Sequence, residues 1–277
     1  MVGLIDIDGK LPNLALMKLK RYYPEAEMTI PIFPNNYDRT YVSSIFSFSS
    51  KPTVSGNVET GGTGYGITSR LPESIERCQP DYSLYPDCKF SYQRFTYGCI
   101  RRCPFCVSWK MGDFQELEPM NLNPEGEYIY LLDNNFFASE KWKENINYLI
   151  GRKQPVKFEG IDARIISEND EMLYLLNKTK LKGRMHTAWD NSAIDMMPKF
   201  RRIIKKIKPY KIMCYVLIGF GSTPDDDMHR VRSLSGIGID PFVMPYNKAD
   251  SYQRRFARWV NHKATYKSCT WAEYGCK

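Results

Sequence analysis

Short apolar segments recur down the second two thirds of the chain, at Phe90 to Tyr97, Tyr128 to Asp133, Val156 to Asp162, Arg184 to Asp190, Ile212 to Phe220 and Pro241 to Tyr246. They follow one another at about thirty residues, with helical or loop stretches between most of them, which is the cadence of strand, crossover helix and parallel strand. Six such units are too few to close an eight-stranded barrel. The expected fold class is therefore α/β, with an open, partial (β/α)6 TIM-like barrel over residues 86–248. In such sheets a ligand binds beyond the carboxyl ends of the strands. Polar clusters stand at four of those ends: Asp133-Asn134-Asn135, Asp162-Ala163-Arg164, Asp190-Asn191-Ser192 and Tyr246-Asn247. Turn chemistry or helix capping accounts for any one of them. Four on one rim point to a site.

Residues 1–85 begin with an alternating segment, Val2 to Asp8, followed after Gly9 by Leu11, Leu14, Leu16, Met17, Leu19 and Tyr23 on a helical face. A further strand is expected over Thr40 to Phe48. The stretch after it ends in Gly61-Gly62-Thr63-Gly64-Tyr65-Gly66, which lacks a nucleotide-binding spacing and reads as a plain turn. This part is expected to be a small, reduced Rossmann-like α/β domain. After Asn247, the residues Tyr252, Phe256, Trp259 and Val260 recur at helical spacing among arginines, predicting a helical segment over 249–277 that covers the barrel.

At 43% hydrophobic and 25% charged residues, the chain has globular composition, which excludes disordered, collagen-like and coiled-coil classes. No run approaches the roughly 18 apolar residues of a membrane span. The N-terminus lacks the basic start and apolar core of a signal peptide, so the expected location is cytoplasmic, with no membrane partner. The net charge is +8; Arg254, Arg255, Arg258, Lys263, Lys267 and Lys277 are opposed near the C-terminus only by Asp250 and Glu273. A second basic run holds Arg201, Arg202, Lys205 and Lys206. Solvated helix faces are the ordinary account of such runs, and a polyanionic partner is the other.

Three of the eight cysteines fall within eight residues, in Cys99-Ile100-Arg101-Arg102-Cys103-Pro104-Phe105-Cys106. In a reducing compartment this uneven placement argues against a disulfide framework. Thiolates are soft ligands that suit zinc or iron–sulfur clusters. Structural zinc would need a fourth ligand from Cys78, Cys88 or farther away, and paired C-x2-C knuckles are absent. A [4Fe-4S] cluster held by three cysteines leaves one iron open to a small molecule.

The C-x3-C-x2-C arrangement resembles that of the radical S-adenosylmethionine (radical SAM) superfamily. The resemblance covers about residues 90–262 and implies that Cys99, Cys103 and Cys106 hold a [4Fe-4S] cluster whose free iron binds S-adenosylmethionine. Reductive cleavage then yields a 5′-deoxyadenosyl radical that abstracts hydrogen from a substrate. It also implies that Phe105 packs near the adenine, that Asp133 and Asn134 stand where the methionine amino group is held, and that Arg164 pairs with the methionine carboxylate. Asp190 would accept from the ribose hydroxyls, while Gly219 and Met244 would approach the adenine. A reducing partner such as flavodoxin or ferredoxin is implied as well. Arg101 and Arg102 add positive charge that would ease reduction of an anionic cluster.

The strand ends are most similar to the branch with a cobalamin-binding-like domain before the barrel. Residues 1–85 are short for that domain and contain no Asp-x-His-x-x-Gly motif, so cobalamin is not expected. The substrate is open between a nucleoside or nucleic acid, suggested by the basic aromatic C-terminal segment, and a small metabolite or peptide. His186, by strand alternation, shares a face with Ala188 and Asp190, and is expected to be a hydrogen-bonded core residue; Tyr215, Cys214 and Tyr246 are conceivable hydrogen donors. Two other readings are a non-catalytic zinc-knuckle module that binds nucleic acid, and a sulfur-inserting, methylthiotransferase-like enzyme using some of Cys78, Cys88, Cys214, Cys269 and Cys276. Those five thiols lack a recognisable cluster spacing, and free buried thiols are the expectation.

Overall fold

The alternation at the N-terminus makes a strand, β1 (Val2–Asp6), whose inward residues seed the first core. In the computed structural model, which describes residues 1–31 and 37–275, the chain forms two compact units, Met1–Ile129 and Tyr130–Lys277. The class is α/β, with parallel sheets.

In the first unit β1 leads to α1 (Leu14–Tyr22), β2 (Glu27–Met28), β3 (Arg39–Ser43) and β4 (Val58–Gly61). The four strands are parallel, in the order β2-β1-β3-β4. Asn13 caps α1, its Oδ1 accepting from the Ala15 amide at 3.0 Å, so that the helix starts where its donors would otherwise be orphaned. Leu16 and Leu19 on α1 pack with Val2, Leu4 and Tyr41 of the sheet. Each such burial contributes about 1.5–3 kcal/mol. Strands β2 and β4 are short and largely exposed, so they carry no apolar alternation. The glycine turn after β4 passes over Ser44: a Cβ on Gly62 would lie 2.3 Å from the Ser44 carbonyl oxygen. The unit continues through α2 (Glu73–Glu76), β5 (Phe90–Gln93), β6 (Thr96–Tyr97) and β7 (Gln115–Glu116), the last two antiparallel.

Strand β8 (Tyr128–Leu131) carries the chain into the second unit, where helices and parallel strands alternate. The order is α3 (Trp142–Gly151), β9 (Val156–Lys157), α4 (Ala163–Ile166), α5 (Asp170–Lys178), β10 (Met185–Ala188), α6 (Met197–Ile204), β11 (Ile212–Ile218), α7 (Pro224–Gly236), β12 (Asp240–Pro245), then α8 (Ser251–Asn261), α9 (Lys263–Ser268) and α10 (Trp271–Gly275). Strands β10, β11 and β12 are neighbours in that order. Backbone bonds from the His186 amide to the Phe158 carbonyl (3.1 Å) and from the Ile161 amide to the His186 carbonyl (3.2 Å) join the extension of β9 to β10. Along β11, Ile212, Cys214, Val216 and Ile218 are buried, whereas Met213, Tyr215 and Leu217 are half-buried. This two-residue period gives the sheet a sealed face and an open one. Helix α7 packs on β11 and β12. Its start is fixed by a capping box between Thr223 and Asp226, with Pro224 in the first turn. The expected helix after Asn247 is α8, capped by Asp250 and lying on β12, where Asn261 bonds both the amide and the carbonyl of Val243.

Candidate functional site

The cysteine segment is the tip of a hairpin in the first unit, whose feet are tied by the pairs Thr96↔Glu116 and Tyr97↔Gln115. Gly98 makes the tight entry possible. Its φ is +72°, and a Cβ there would lie 2.8 Å from the carbonyl oxygens of both Gly112 and Asp113. Arg70 and Arg94 set their guanidinium groups over the Tyr97 ring, at 4.3 and 5.5 Å from its centroid. Within the tip, the Cys103 carbonyl accepts from the Cys106 amide (3.0 Å) and from Trp109 Nε1 (2.9 Å), which fixes the turn between these two cysteines.

Cys99, Cys103 and Cys106 are half-buried. The Arg101 amide donates to Cys99 Sγ and the Ser108 amide to Cys106 Sγ, each at 3.4 Å. Amide donors directed at sulfur stabilise negative charge on it, which is what ligating thiolates require. Among the described residues no group of three or more His, Cys, Asp or Glu side chains is gathered to hold a metal ion; the fit to a cluster rests on the soft donor set and the amides aimed at it. Phe105 is half-buried beside Cys106. The sulfurs that a zinc site would recruit are engaged elsewhere. Cys88 is buried and donates to the Phe90 carbonyl at 3.2 Å, with burial pushing its thiol pKa up, and Cys78 donates to the Ser74 carbonyl at 3.4 Å.

In the second unit, the polar strand ends behave differently from one another. Asp133 and Asn135 are buried and Asn134 is exposed. The backbone here is in close contact with Gly160, where a Cβ would lie 2.2 Å from the Asp133 carbonyl oxygen. Asn135 Oδ1 is buried and has no hydrogen-bond partner among the described residues, leaving an acceptor in need of a donor. Asp162 caps α4 and holds the Arg164 fork, from Nε to Oδ1 at 2.8 Å and from Nη2 to Oδ2 at 3.0 Å. The guanidinium of Arg164 thus already has one carboxylate.

Asp190 accepts from the Leu217 amide at 3.2 Å. Burial raises the pKa of its carboxyl group, opposed by that amide and by the charges of Arg230 and Arg164. Arg230, on α7, is 1% exposed and donates to the carbonyls of Trp189 (2.8 Å) and Asp190 (3.2 Å) and to Asp227 Oδ1 (2.6 Å). Sequence reasoning missed this anchor, although arginine three residues after an acidic helix start was a visible signal. Gly219 has φ +77°, and a Cβ on it would meet the side-chain amide of Gln253 on α8, so the backbone conformation and packing under α8 already favour glycine there. Met244 is exposed at the end of β12.

His186 is half-buried, and its Nδ1 lies 2.5 Å from Glu159 Oε2. Cys214 is buried, Cys269 is half-buried and donates to the Thr265 carbonyl at 3.4 Å, and Cys276 lies outside the described residues. The C-terminal aromatics pack mainly on one another: Trp271 meets Phe256 at 5.3 Å and Trp259 at 5.5 Å between ring centroids. Compared with known proteins, the chain matches no family model and no curated protein.

Proposed function

We propose that the chain is a radical SAM enzyme, with the parallel strands forming a partial (β/α)6 barrel. The observation that carries this reading is the C-x3-C-x2-C hairpin tip, with three half-buried sulfurs and backbone amides aimed at two of them. A [4Fe-4S] cluster with S-adenosylmethionine would supply a 5′-deoxyadenosyl radical and thereby hydrogen abstraction from an unactivated position.

The chain's own residues would orient the cofactor. Cys99, Cys103 and Cys106 would ligate iron, and Phe105 would pack near the adenine. The unpartnered Oδ1 of Asn135, beside Asp133 and Asn134, suits an ammonium donor. Arg164 would meet a carboxylate with whatever donors Asp162 leaves it, and Asp190 would accept from hydroxyls. Gly219 and Met244 would lie toward the adenine. A cytoplasmic enzyme of this kind would take electrons from a flavodoxin or ferredoxin, and cobalamin would not be bound.

Anaerobic reconstitution tests the reading directly. The wild type should turn brown, carry about four irons per chain, and release 5′-deoxyadenosine with dithionite and S-adenosylmethionine. Alanine at any triad cysteine should remove both, while Cys78→Ala and Cys269→Ala should not. A colourless protein with one zinc per chain would overturn the proposal in favour of a binding module. Retention of stoichiometric corrinoid after desalting would overturn the exclusion of cobalamin. A nucleic-acid substrate would further require affinity that falls steeply with salt.

A further inference from the structure

The open face of the second unit's sheet carries a polar cluster built around Glu159. His186 Nδ1 lies 2.5 Å from its Oε2, and Lys157 Nζ lies 2.7 Å from its Oε1. The Tyr130 hydroxyl donates to Oε1 at 3.3 Å, and the Tyr215 hydroxyl lies 3.1 Å from His186 Nδ1. Three groups, Tyr130, Lys157 and His186, thus come from successive strands or their extensions to one carboxylate. The carboxylate is well partnered, and Lys157 balances its charge.

The imidazole is not saturated. With Nδ1 committed to a carboxylate, the neutral ring carries its proton there and presents a lone pair at Nε2. No described residue bonds Nε2, and it is absent from the set of buried polar atoms lacking partners, so it faces accessible space. A core histidine serving packing alone has both nitrogens satisfied. By strand alternation, Ala188, Leu217 and Met244 share this face with His186, Tyr215 and Phe242, and the rings of Tyr215 and Phe242 meet at 5.8 Å.

We propose that His186 Nε2 is the proton-exchanging atom of a substrate site on this face, with Glu159 as the positioning residue that fixes its tautomer. The ligand class follows from the surroundings. It is a molecule with an apolar or planar body, lying along Leu217, Phe242 and Met244, and an acidic hydroxyl or N–H group donating to Nε2. In the exchange, an O–H or N–H bond of the ligand breaks and an Nε2–H bond forms, and Glu159 holds the resulting imidazolium. The site stands on geometry within this unit and does not depend on the cluster.

The test uses the intact chain labelled with 15N-histidine, with phenol as the probe. In the wild type, long-range nitrogen–proton spectra should show His186 protonated at Nδ1, and diethyl pyrocarbonate should acylate it at Nε2. Millimolar phenol should slow that acylation several-fold and shift the His186 ring signals saturably. Glu159→Gln should lose the fixed tautomer while circular dichroism stays native, and Glu159→Asp should restore it in part. A proton on Nε2 in the wild type, resistance of His186 to acylation in the folded protein, or acylation indifferent to phenol would each overturn the proposal. None of these readouts involves iron or S-adenosylmethionine, so their failure is distinct from failure of the radical SAM reading.

Discussion

Removing the Asp227 carboxylate should destabilise the second unit more than any truncation of a single surface pair. Arg230 is 1% exposed, and among the described residues its only anionic partner at hydrogen-bond distance is Asp227 Oδ1, at 2.6 Å. In Asp227→Leu the guanidinium stays buried and, among the described residues, keeps only backbone carbonyls as hydrogen-bond acceptors, with the Asp190 and Asp226 carboxylates acting on it from farther off. Breaking a buried pair in this way costs about 3–5 kcal/mol. Asp227 also accepts from Ser222 Oγ (2.7 Å) and the Tyr252 hydroxyl (3.2 Å), each contributing about 0.5–1.5 kcal/mol. The expected loss is therefore about 4–8 kcal/mol. Adding Arg230→Met removes the stranded cation and should recover at least about 2 kcal/mol of it, although the Trp189 and Asp190 carbonyls then lose a donor. Because the chain has two compact units, hydrogen exchange resolved over β10, β11 and α7 is a better measure than one melting temperature. A loss below about 1 kcal/mol in Asp227→Leu, or simple additivity of the two substitutions, would refute this account of the pair.

Acid should weaken the second unit through Glu159: burial pushes its carboxyl pKa up, but hydrogen bonds from His186 and Lys157 outweigh that and bring it to about 2. The unfolded chain, with a pKa near 4.3, then binds the extra proton, so this stabilisation is whole above about pH 5 and is lost as pH falls through about 2. Its full size is about 3 kcal/mol, reduced to about 2 for a side chain that is 25% exposed; a Glu159→Gln variant with an unaltered acid limb in its stability profile would contradict this. Gly98→Ala, with φ +72° and two backbone carbonyls in the way, should cost at least about 1 kcal/mol and raise amide exchange across β6 and β7. Gly219→Ala meets the movable end of Gln253 and should be milder; equal exchange effects would refute the distinction. Arg164→Ala should change stability by less than about 1 kcal/mol yet weaken equilibrium binding of S-adenosylmethionine by about 10- to 100-fold, as dialysis of the reconstituted protein would show; unchanged binding would remove Arg164 from the site.

What could be read before the structure, and what could not, divides along a physical line. Strands that bury apolar residues announce themselves: β1, β8, β10 and β11 lie within segments marked by apolar content and β3 and β12 begin one residue before theirs, because burial selects their residues, two apart on β8, β10, β11 and β12 and in continuous runs on β1 and β3. Strands β2 and β4 bury almost nothing, and no such selection acts on Glu27, Met28 or Glu59. The capped helix starts at Asn13, Thr223 and Asp250 follow from local chemistry.

Pairings between elements are a different kind of information. That His186 shares a face with Ala188 and Asp190 was legible, since alternation is local. That Glu159 supplies its partner was not, because β9 as a strand is only Val156–Lys157 and Glu159 lies in the extension beyond it, where its alignment with β10 depends on backbone bonds across 28 residues from Phe158 to His186. The same holds for Arg230: its acidic neighbour was visible, but its grip on the Trp189 and Asp190 carbonyls depends on how α7 docks. Both unforeseen groups share a property that explains why folding tolerates them. Each buried or half-buried charge meets an opposite charge and neutral donors or acceptors from more than one element, so neither is stable until the sheet is assembled. Such networks cost little in the finished fold and much in any misregistered one, so they select the strand alignment that brings β10 and β11 together. His186 Nε2 is the exception within them, an atom whose hydrogen-bonding capacity the assembled sheet leaves unused, and that is the physical reason to look for a ligand there.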